Sequence, residues 1–376
     1  MRSRQAISLA VVALFLVVTS ARATPVALAD GPGPGYFASD NVEFVAHVPL
    51  NNDSAGGKVV GDYFYITSSR ALNIYDISDP VAPALVGVLP LLQDPYFAEE
   101  DPDTNGSILL VGAGGTLNVI DVEDKSNPQI IGTLDGADAH TVTCVLDCKW
   151  AYNSDGKIID LRDPTAPKVA GDWKEGTAVG GGHDVTEVAP GRIVTSTNPL
   201  LYLDARKNPA KPRVLGSSIP LDGRYVHGNE WPRNATDRFL LVGGESGAGT
   251  CDSEGSSGSL MTFDAAAFKR TRTFRMIDEY IMGTGLATEG KMPAVLYCGH
   301  WFDVHPRYRN GGVVAMAWYE NGTHFFDVSS KGKIEHIGYF LPAAGSTSAE
   351  YWITDEILYT VDYNRGIDII RFTGKT

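Results

Sequence analysis

The sequence predicts an all-β protein, a seven-bladed β-propeller with four-stranded blades. One observation is a repeated phrase in which an apolar strand ends in Asp, a turn follows with Pro, and a second apolar strand contains Gly. Its clearest copy runs from residue 72 to residue 87. A second observation is that short β-branched runs alternate with Gly, Pro, Asn and Asp. No long segment has the 3.6-residue period of a helix.

The Asp that ends the first strand of each phrase sets the period of the repeat. Its positions are Asp76, Asp121, Asp160, Asp204, Asp264 and Asp327, with Arg371 in the equivalent seventh place. Four spacings of 39 to 45 residues match one four-stranded blade, and spacings of 60 and 63 predict loop insertions in the fifth and sixth blades. Pro ends these strands because it has no N–H for the ladder. Seven copies close a ring; a β-sandwich and an open solenoid are the alternatives.

The N-terminus predicts export. Arg2 and Arg4 precede an apolar run over residues 6–18, and Ala21-Arg22-Ala23 has the small-x-small pattern of a signal peptidase site. The run is shorter than the roughly 20 residues of a membrane-spanning helix, and an uncleaved anchor is the alternative. We therefore expect a signal peptide over residues 1–23, a lead segment over 24–41 and the propeller over 42–376. Cleavage near Ala23 would place the protein in the periplasm or outside the cell.

The charge balance bears on the partners. The chain has 31 basic and 45 acidic residues, a net charge of −14, and no basic cluster. Such an acidic surface repels phosphate backbones, so we expect no nucleic-acid partner. No later stretch is apolar enough for membrane insertion. The expected partner is a small molecule, or an extracellular protein or glycan, bound on the top face, where the inner strands begin.

The repeated phrase also carries a family resemblance. Asp-Ile-Ser-Asp-Pro at residues 76–80, followed by Pro83 and by Val-Gly at 86–87, resembles the LVIVD-repeat family of exported bacterial β-propeller proteins. The closing stretch 361–368 is similar to theirs. The resemblance extends over about residues 42–372 and is strongest in the first four copies. It implies the propeller fold and an exported location, and no particular activity.

Four cysteines in an oxidising compartment predict disulfides. Cys144 and Cys148 flank a predicted hairpin loop, where facing positions lie within bridging range. The remaining pair would be Cys251 and Cys298, which would hold a long Gly- and Ser-rich loop beside His300. Two unpaired thiols are the alternative.

Histidines recur with the blade period. His140, His183 and His227 are spaced by 43 and 44 residues, each near the predicted start of an innermost strand. His300 fits the same position in the sixth blade once the insertion is allowed for. Because the starts of innermost strands converge on the channel of a propeller, four successive blades would direct imidazoles at one axis.

Neutral imidazole is the commonest metal ligand, so this ring predicts a site for iron, copper or zinc. Carboxylates nearby could orient the rings by accepting their second N–H. The candidates for that role are Asp184, Glu230, Asp303, Glu100 and Glu350. His305 is a reserve ligand, while His47, His324 and His336 lie off the register and are expected to pack or face solvent. A metal-free polar ligand site and a purely structural ring are the alternatives.

The leading hypothesis is a secreted metalloprotein that holds one transition metal on the propeller axis. An open coordination position would support an oxidative or hydrolytic reaction on a small substrate. The alternative is an extracellular scaffold that binds a protein or a glycan without catalysis. The residues alone do not assign a catalytic group.

Overall fold

The structure, a computed structural model, describes residues 35–50, 54–91, 100–246, 258–282 and 298–376. The predicted signal peptide lies outside these residues. The described strands form seven mainly antiparallel sheets of four or five strands. They are the seven blades of a β-propeller, and the predicted fold class is confirmed. Two N-terminal strands, β1 (Tyr36–Ala38) and β2 (Val42–Pro49), precede the first blade in sequence.

The first four blades follow the sequence repeat, each running from its innermost strand outward. The strands of blades one and two are β3 (Ser54–Val60), β4 (Tyr63–Ser68), β5 (Ala71–Asp76), β6 (Ala84–Pro90), β7 (Asp103–Thr104), β8 (Ile108–Ala113), β9 (Thr116–Asp121) and β10 (Gln129–Asp135). Those of blades three and four are β11 (Val142–Val145), β12 (Trp150–Asn153), β13 (Lys157–Asp160), β14 (Lys168–Asp172), β15 (Val185–Ala189), β16 (Arg192–Thr195), β17 (Leu201–Asp204) and β18 (Arg213–Ser218). Each strand-final Asp of the repeat therefore ends the third strand of its blade.

Blades five to seven depart from that spacing. Their elements are β19 (Tyr225–Glu230), α1 (Pro232–Ala235), β20 (Phe239–Ser246), β21 (Ser259–Asp264), α2 (Ala265–Thr271), β22 (Thr273–Phe274), β23 (Met276–Ile281), β24 (Phe302–Val304), β25 (Gly312–Ala317), β26 (Thr323–Val328), β27 (Ile334–Pro342), β28 (Thr347–Trp352), β29 (Ile357–Asp362) and β30 (Gly366–Phe372). In blade five the strand-final Asp264 caps α2, accepting a hydrogen bond from the Ala267 N–H at 2.8 Å. Because α2 follows Asp264, it accounts for part of the 63-residue spacing between Asp264 and Asp327.

The ring closes through the two chain ends. Strand β30 lies between β29 and β2, so the last blade takes its outer strand from the N-terminus. The short β1 pairs with β27 as a fifth strand on blade six. Residues 36–38, which belong to the predicted lead segment, thus lie along the edge of blade six. Closure of this kind leaves fewer unpaired strand edges than an open sheet.

Close contact between neighbouring blades explains the Gly of the repeat. A Cβ on Gly87 would lie 2.0 Å from the Lys125 carbonyl oxygen, and one on Gly132 would lie 2.2 Å from that of Pro164. Both carbonyls belong to the Pro-containing turn of the following blade. The Asp residues before these turns cap them: Asp76 Oδ1, for example, accepts the Ser78 N–H at 2.9 Å. The phrase therefore builds the contact between blades.

The apolar core lies between adjacent blades. Leu72 and Ile74 of blade one are fully buried against Leu109 and Val111 of blade two. Phe64 of blade one packs in the same way with Ile367 and its neighbours in blade seven. Within the described part of the chain, no helix is long and apolar enough to cross a bilayer.

The described cysteines agree with the predicted disulfides. Cys144 and Cys148 form a disulfide with their Cα atoms 4.3 Å apart, across the turn between β11 and β12. Cys298 is also disulfide-bonded. Its predicted partner, Cys251, lies outside the described residues.

Candidate metal centre

The four in-register histidines enter the channel from the top of their blades. His140, His183 and His300 each stand two residues before their innermost strands β11, β15 and β24, and His227 lies inside β19. Blade two contributes Glu100, three residues before β7. Inner-strand starts converge on the axis, so five consecutive blades, two to six, each supply one potential ligand. We call these five residues the histidine layer.

The Glu100 carboxylate is the centre of this layer. Its Oε2 lies 3.2 Å from Nε2 of both His140 and His300, 3.7 Å from that of His227 and 3.8 Å from that of His183. Ligand atoms of Glu100, His183 and His227 all lie within 4.8 Å of one another. Donor atoms bound to one metal at about 2.1 Å are separated by roughly 3 to 3.4 Å at tetrahedral or right angles. The spacing therefore suits a metal ion, which these buried groups could hold.

Several potential ligand atoms of the histidine layer form no hydrogen bond with a described residue outside the layer. Among the described residues, His300 Nε2 and both ring nitrogens of His227 are buried and have no well-aligned hydrogen bond, and their close polar neighbour is Glu100 Oε2. His300 donates its Nδ1–H to the Ser348 carbonyl oxygen at 2.6 Å, which leaves the Nε2 lone pair directed at the cluster. Metal-bound histidines are oriented in this way by a second hydrogen bond.

Burial and mutual charge set the protonation states. Burial lowers the pKa of His227 to about 3, with further lowering by the charge of His300. Burial also lowers the pKa of His183, together with His227 and His140. Burial opposes protonation of His300 too, but the Glu100 carboxylate outweighs it and raises the pKa. His183 and His227 are therefore neutral, which is the form that binds metals.

Hydrogen bonds from tyrosines support the layer on its solvent side. Tyr363 donates its hydroxyl to Glu100 Oε1 at 2.8 Å, which leaves Oε2 for the histidines. Tyr319 donates to Glu245 Oε1 at 3.2 Å. Glu100, Tyr319 and Glu245 border a cavity of about 450 Å³, here called the face cavity. It is lined by Glu100, His140, Ser154, Asp155, Gly182, His183, Tyr225, Glu245 and Tyr319.

Four carboxylates that were expected to orient the histidines lie elsewhere. Asp184, Glu230, Asp303 and Glu350 line a second cavity, on the other side of the Trp301 ring. Among the described residues, none of them is hydrogen-bonded to an imidazole. The expectation is corrected because Asp184, Glu230 and Asp303 follow the histidine of their own blade by one to three residues, and so lie deeper in the channel. Glu350 belongs to blade seven, which supplies no residue to the histidine layer.

Glu100 was also expected to orient the rings, and the structure places it at their centre. The sequence does contain a pattern that predicts this position, because Glu100 lies 40 residues before His140, close to one blade period. Tyr363 and Tyr319 carry no comparable signal, because they lie in loops of blades seven and six that reach over the axis.

The remaining histidines do not reach the axis. His305 donates Nε2–H to the Asp355 carbonyl oxygen at 2.8 Å, and its Nδ1 accepts the Arg307 N–H at 3.1 Å. With both nitrogens engaged, it does not serve as a reserve ligand. His324 and His336 are hydrogen-bonded to each other at 2.9 Å within blade six, and His47 pairs with Asp368 at 2.7 Å.

Comparison with known proteins supports the resemblance drawn from the sequence. Residues 56–89 match the family model described as the LVIVD repeat. The matched segment covers most of β3 to β6, which is blade one. No curated protein matches the chain. The expected LVIVD-repeat propeller is thus confirmed in its fold.

Proposed function

We propose that the protein is an exported metalloprotein that binds one divalent transition-metal ion in the histidine layer. The central ligands are Glu100, His183 and His227, whose ligand atoms lie within 4.8 Å of one another. His140 and His300, whose Nε2 atoms lie 3.2 Å from Glu100 Oε2, would complete the set. The observation that carries the proposal is the set of buried lone pairs without partners that converge on one point. Leaving buried polar atoms unpaired costs free energy, and a metal ion would satisfy all of them together.

The donor set favours a six-coordinate ion. Structural and catalytic zinc sites use three or four protein ligands, fewer than the five gathered here. Imidazole with carboxylate suits iron, and copper is the next candidate. Five protein ligands leave one position, and the face cavity beside His140 and His183 gives a small molecule access to it. When bound, the ion would supply oxidative or hydrolytic chemistry at that position.

The lining of the face cavity supports a small polar substrate. Tyr225 is half exposed at its rim, and Glu245 and Asp155 bring carboxylates close to the histidine layer. These side chains would orient a hydroxyl- or amine-bearing molecule beside His140. In the alternative hypothesis, the protein is a scaffold without catalytic activity, and the same rim binds an extracellular protein or glycan. This hypothesis takes the lead if the protein binds no metal.

Export is supported by the disulfide between Cys144 and Cys148, since disulfides persist in oxidising compartments. N-terminal sequencing of the mature protein should then begin at Thr24. A protein that retains its first 23 residues in the exported fraction would contradict the predicted cleavage.

Elemental analysis of the purified protein tests the metal site directly. We expect one equivalent of metal after reconstitution with iron, copper or zinc, with iron or copper retained most tightly. His183→Ala and His227→Ala should each remove most of the metal, while His324→Ala, outside the layer, should keep it. Circular dichroism checks that all three variants are folded. Less than one equivalent in the wild-type protein with every metal would end the metalloprotein proposal.

A further inference from the structure

A second chamber lies on the propeller axis below the histidine layer. It is a cavity of about 280 Å³, at the small end of ligand pockets. Five blades each contribute one carboxylate to its lining, those of Asp101, Asp184, Glu230, Asp303 and Glu350. We call it the carboxylate chamber. The Trp301 ring separates it from the histidines, 4.6 Å from the His227 ring centroid.

The lining of the chamber has five acidic side chains and one basic side chain. Lys58 is the one cationic side chain among its lining residues, and its Nζ forms an ion pair with Asp103 Oδ1 at 3.0 Å. The Lys58 side chain is partly exposed. This ion pair is made with a residue outside the five chamber carboxylates, which makes a ligand with a positive charge and N–H donors the complementary occupant of the cavity.

Unpartnered acceptors point to the same kind of ligand. Within the described part of the chain, Asp184 Oδ1, Glu350 Oε2 and Asn229 Oδ1 are buried and have no hydrogen-bond donor, although all three residues line the cavity. Their side chains are held in place through the other atoms. Asn229 Nδ2, for example, donates to Ser196 Oγ at 2.8 Å, so its carbonyl oxygen is the free end. A ligand with N–H groups would satisfy these three oxygens.

The walls favour an organic cation over a metal ion. The described ligand atoms that lie within 4.8 Å of one another in a group of three are those of Glu100, His183 and His227, and the chamber carboxylates form no such group. They are too dispersed to share one ion. Trp301, Tyr351 and Trp352 line the cavity between them. Aromatic faces attract organic cations through their quadrupoles.

We propose that the carboxylate chamber binds a small organic cation with N–H donors, a primary ammonium or guanidinium compound. Its N–H groups donate to Asp184, Asn229 and Glu350, and its carbon skeleton lies against the tryptophans. The site shares the channel with the histidine layer but uses none of its ligands. It therefore does not depend on metal binding.

Isothermal titration calorimetry on the purified full-length protein tests this site. The probes are 1,4-diaminobutane and guanidinium, with tetramethylammonium as a cation without N–H groups and Ca²⁺ as a compact ion. We expect one equivalent of diaminobutane or guanidinium to bind with submillimolar affinity, and both controls to bind at least tenfold more weakly. Charge-assisted hydrogen bonds are about twice as strong as neutral ones, which underlies the difference.

Matched variants locate the binding. Glu350→Gln and Asp184→Asn keep the side-chain shape and should each weaken diaminobutane binding by about tenfold or more. Glu356→Gln, on the exposed surface of the same blade, should not. All three should retain the metal content of the wild type, so the two sites can fail separately. No binding of either N–H probe to folded protein would overturn the proposal. Tighter binding of Ca²⁺, or equal binding of tetramethylammonium, would also overturn it.

Discussion

The two layers of the channel are built by the same innermost strands, only a few residues apart, yet they carry opposite chemistry. In blade four His183 belongs to the histidine layer, and the next residue, Asp184, lines the carboxylate chamber. In blade five His227 and Glu230 divide in the same way. The repeated phrase lies in the third and fourth strands, where it joins the blades. The channel-facing positions of the first strand are thus free to carry function.

Burial acts on the two layers in opposite directions. It lowers the pKa of His183 and His227, and so keeps them neutral and ready to bind a metal. It raises the pKa of Asp303 to about 7, and raises that of Glu230 with the charge of Asp303 as a second cause. Each effect is the cost of a charge removed from water. The comparison teaches that burial favours the uncharged forms of His183 and His227 in one layer and of Glu230 and Asp303 in the other.

The largest expected difference between the layers is the effect of a substitution in each on metal affinity. Glu100→Gln replaces the central carboxylate with a weak ligand and should lower metal affinity more than about 100-fold, beyond the effect of losing an outer hydrogen bond. Glu350→Gln, the matched change in the chamber, should leave the affinity unchanged. Competition with a chelator measures both. Equal losses in the two variants would show that the layers act as one site.

The packing around Trp301, whose ring separates the two layers, should be sensitive to an added methyl group. A Cβ on Gly228 would lie 2.9 Å from the Trp301 ring, so Gly228→Ala should lower the free energy of unfolding by about 1 to 3 kcal/mol through overpacking. At Gly180 no atom lies within 4 Å of such a Cβ, and Gly180→Ala serves as the control. Urea unfolding compares them. A neutral Gly228→Ala would mean that Trp301 can move from its place between the layers.

The chamber should also show in the pH dependence of stability. Because the pKa of Asp303 is raised from 3.8 to about 7, the folded state holds this proton more tightly than the unfolded state. The contribution of protonated Asp303 to the free energy of unfolding is present below about pH 4 and is lost as the pH rises through 7. The unfolding free energy of the wild type should therefore fall over this range relative to Asp303→Asn. Asp62→Asn, at an exposed position, should follow the wild type. Parallel wild-type and Asp303→Asn profiles would contradict the raised pKa.

The smallest effect is expected at the outer edge of the histidine layer. Tyr363→Phe removes the hydrogen bond to Glu100 Oε1 and should weaken metal binding by about tenfold. Tyr359→Phe is the matched control, since its hydroxyl bonds the Pro80 carbonyl oxygen between blades seven and one. It should lower stability by about 1 kcal/mol and leave the metal in place. A Tyr363→Phe variant with unchanged affinity would show that Glu100 needs no such support.

Much of the fold could be read from the sequence because the contacts that build it are repeated. Each Asp-Pro turn and each Gly, such as Gly87, meets the same neighbour one blade later, so the phrase recurs with its spacing. The four axial histidines could be predicted from the sequence for the same reason, because their spacing equals the blade period. The fifth strand of blade six, β1, could not, because its pairing with β27 joins positions 300 residues apart.

The sequence by itself determined the propeller, its number of blades and the set of histidines that face the axis, because all three follow from periodicity. Only the tertiary structure decided what those histidines meet. Glu100 lies at their centre because five blades bring their strand starts to one point. Asp184, Glu230 and Asp303 were separated from them because a shift of one to three residues along an inner strand moves a side chain to another level of the channel. Depth along the axis depends on how the strands are staggered around the ring, and periodicity does not encode it.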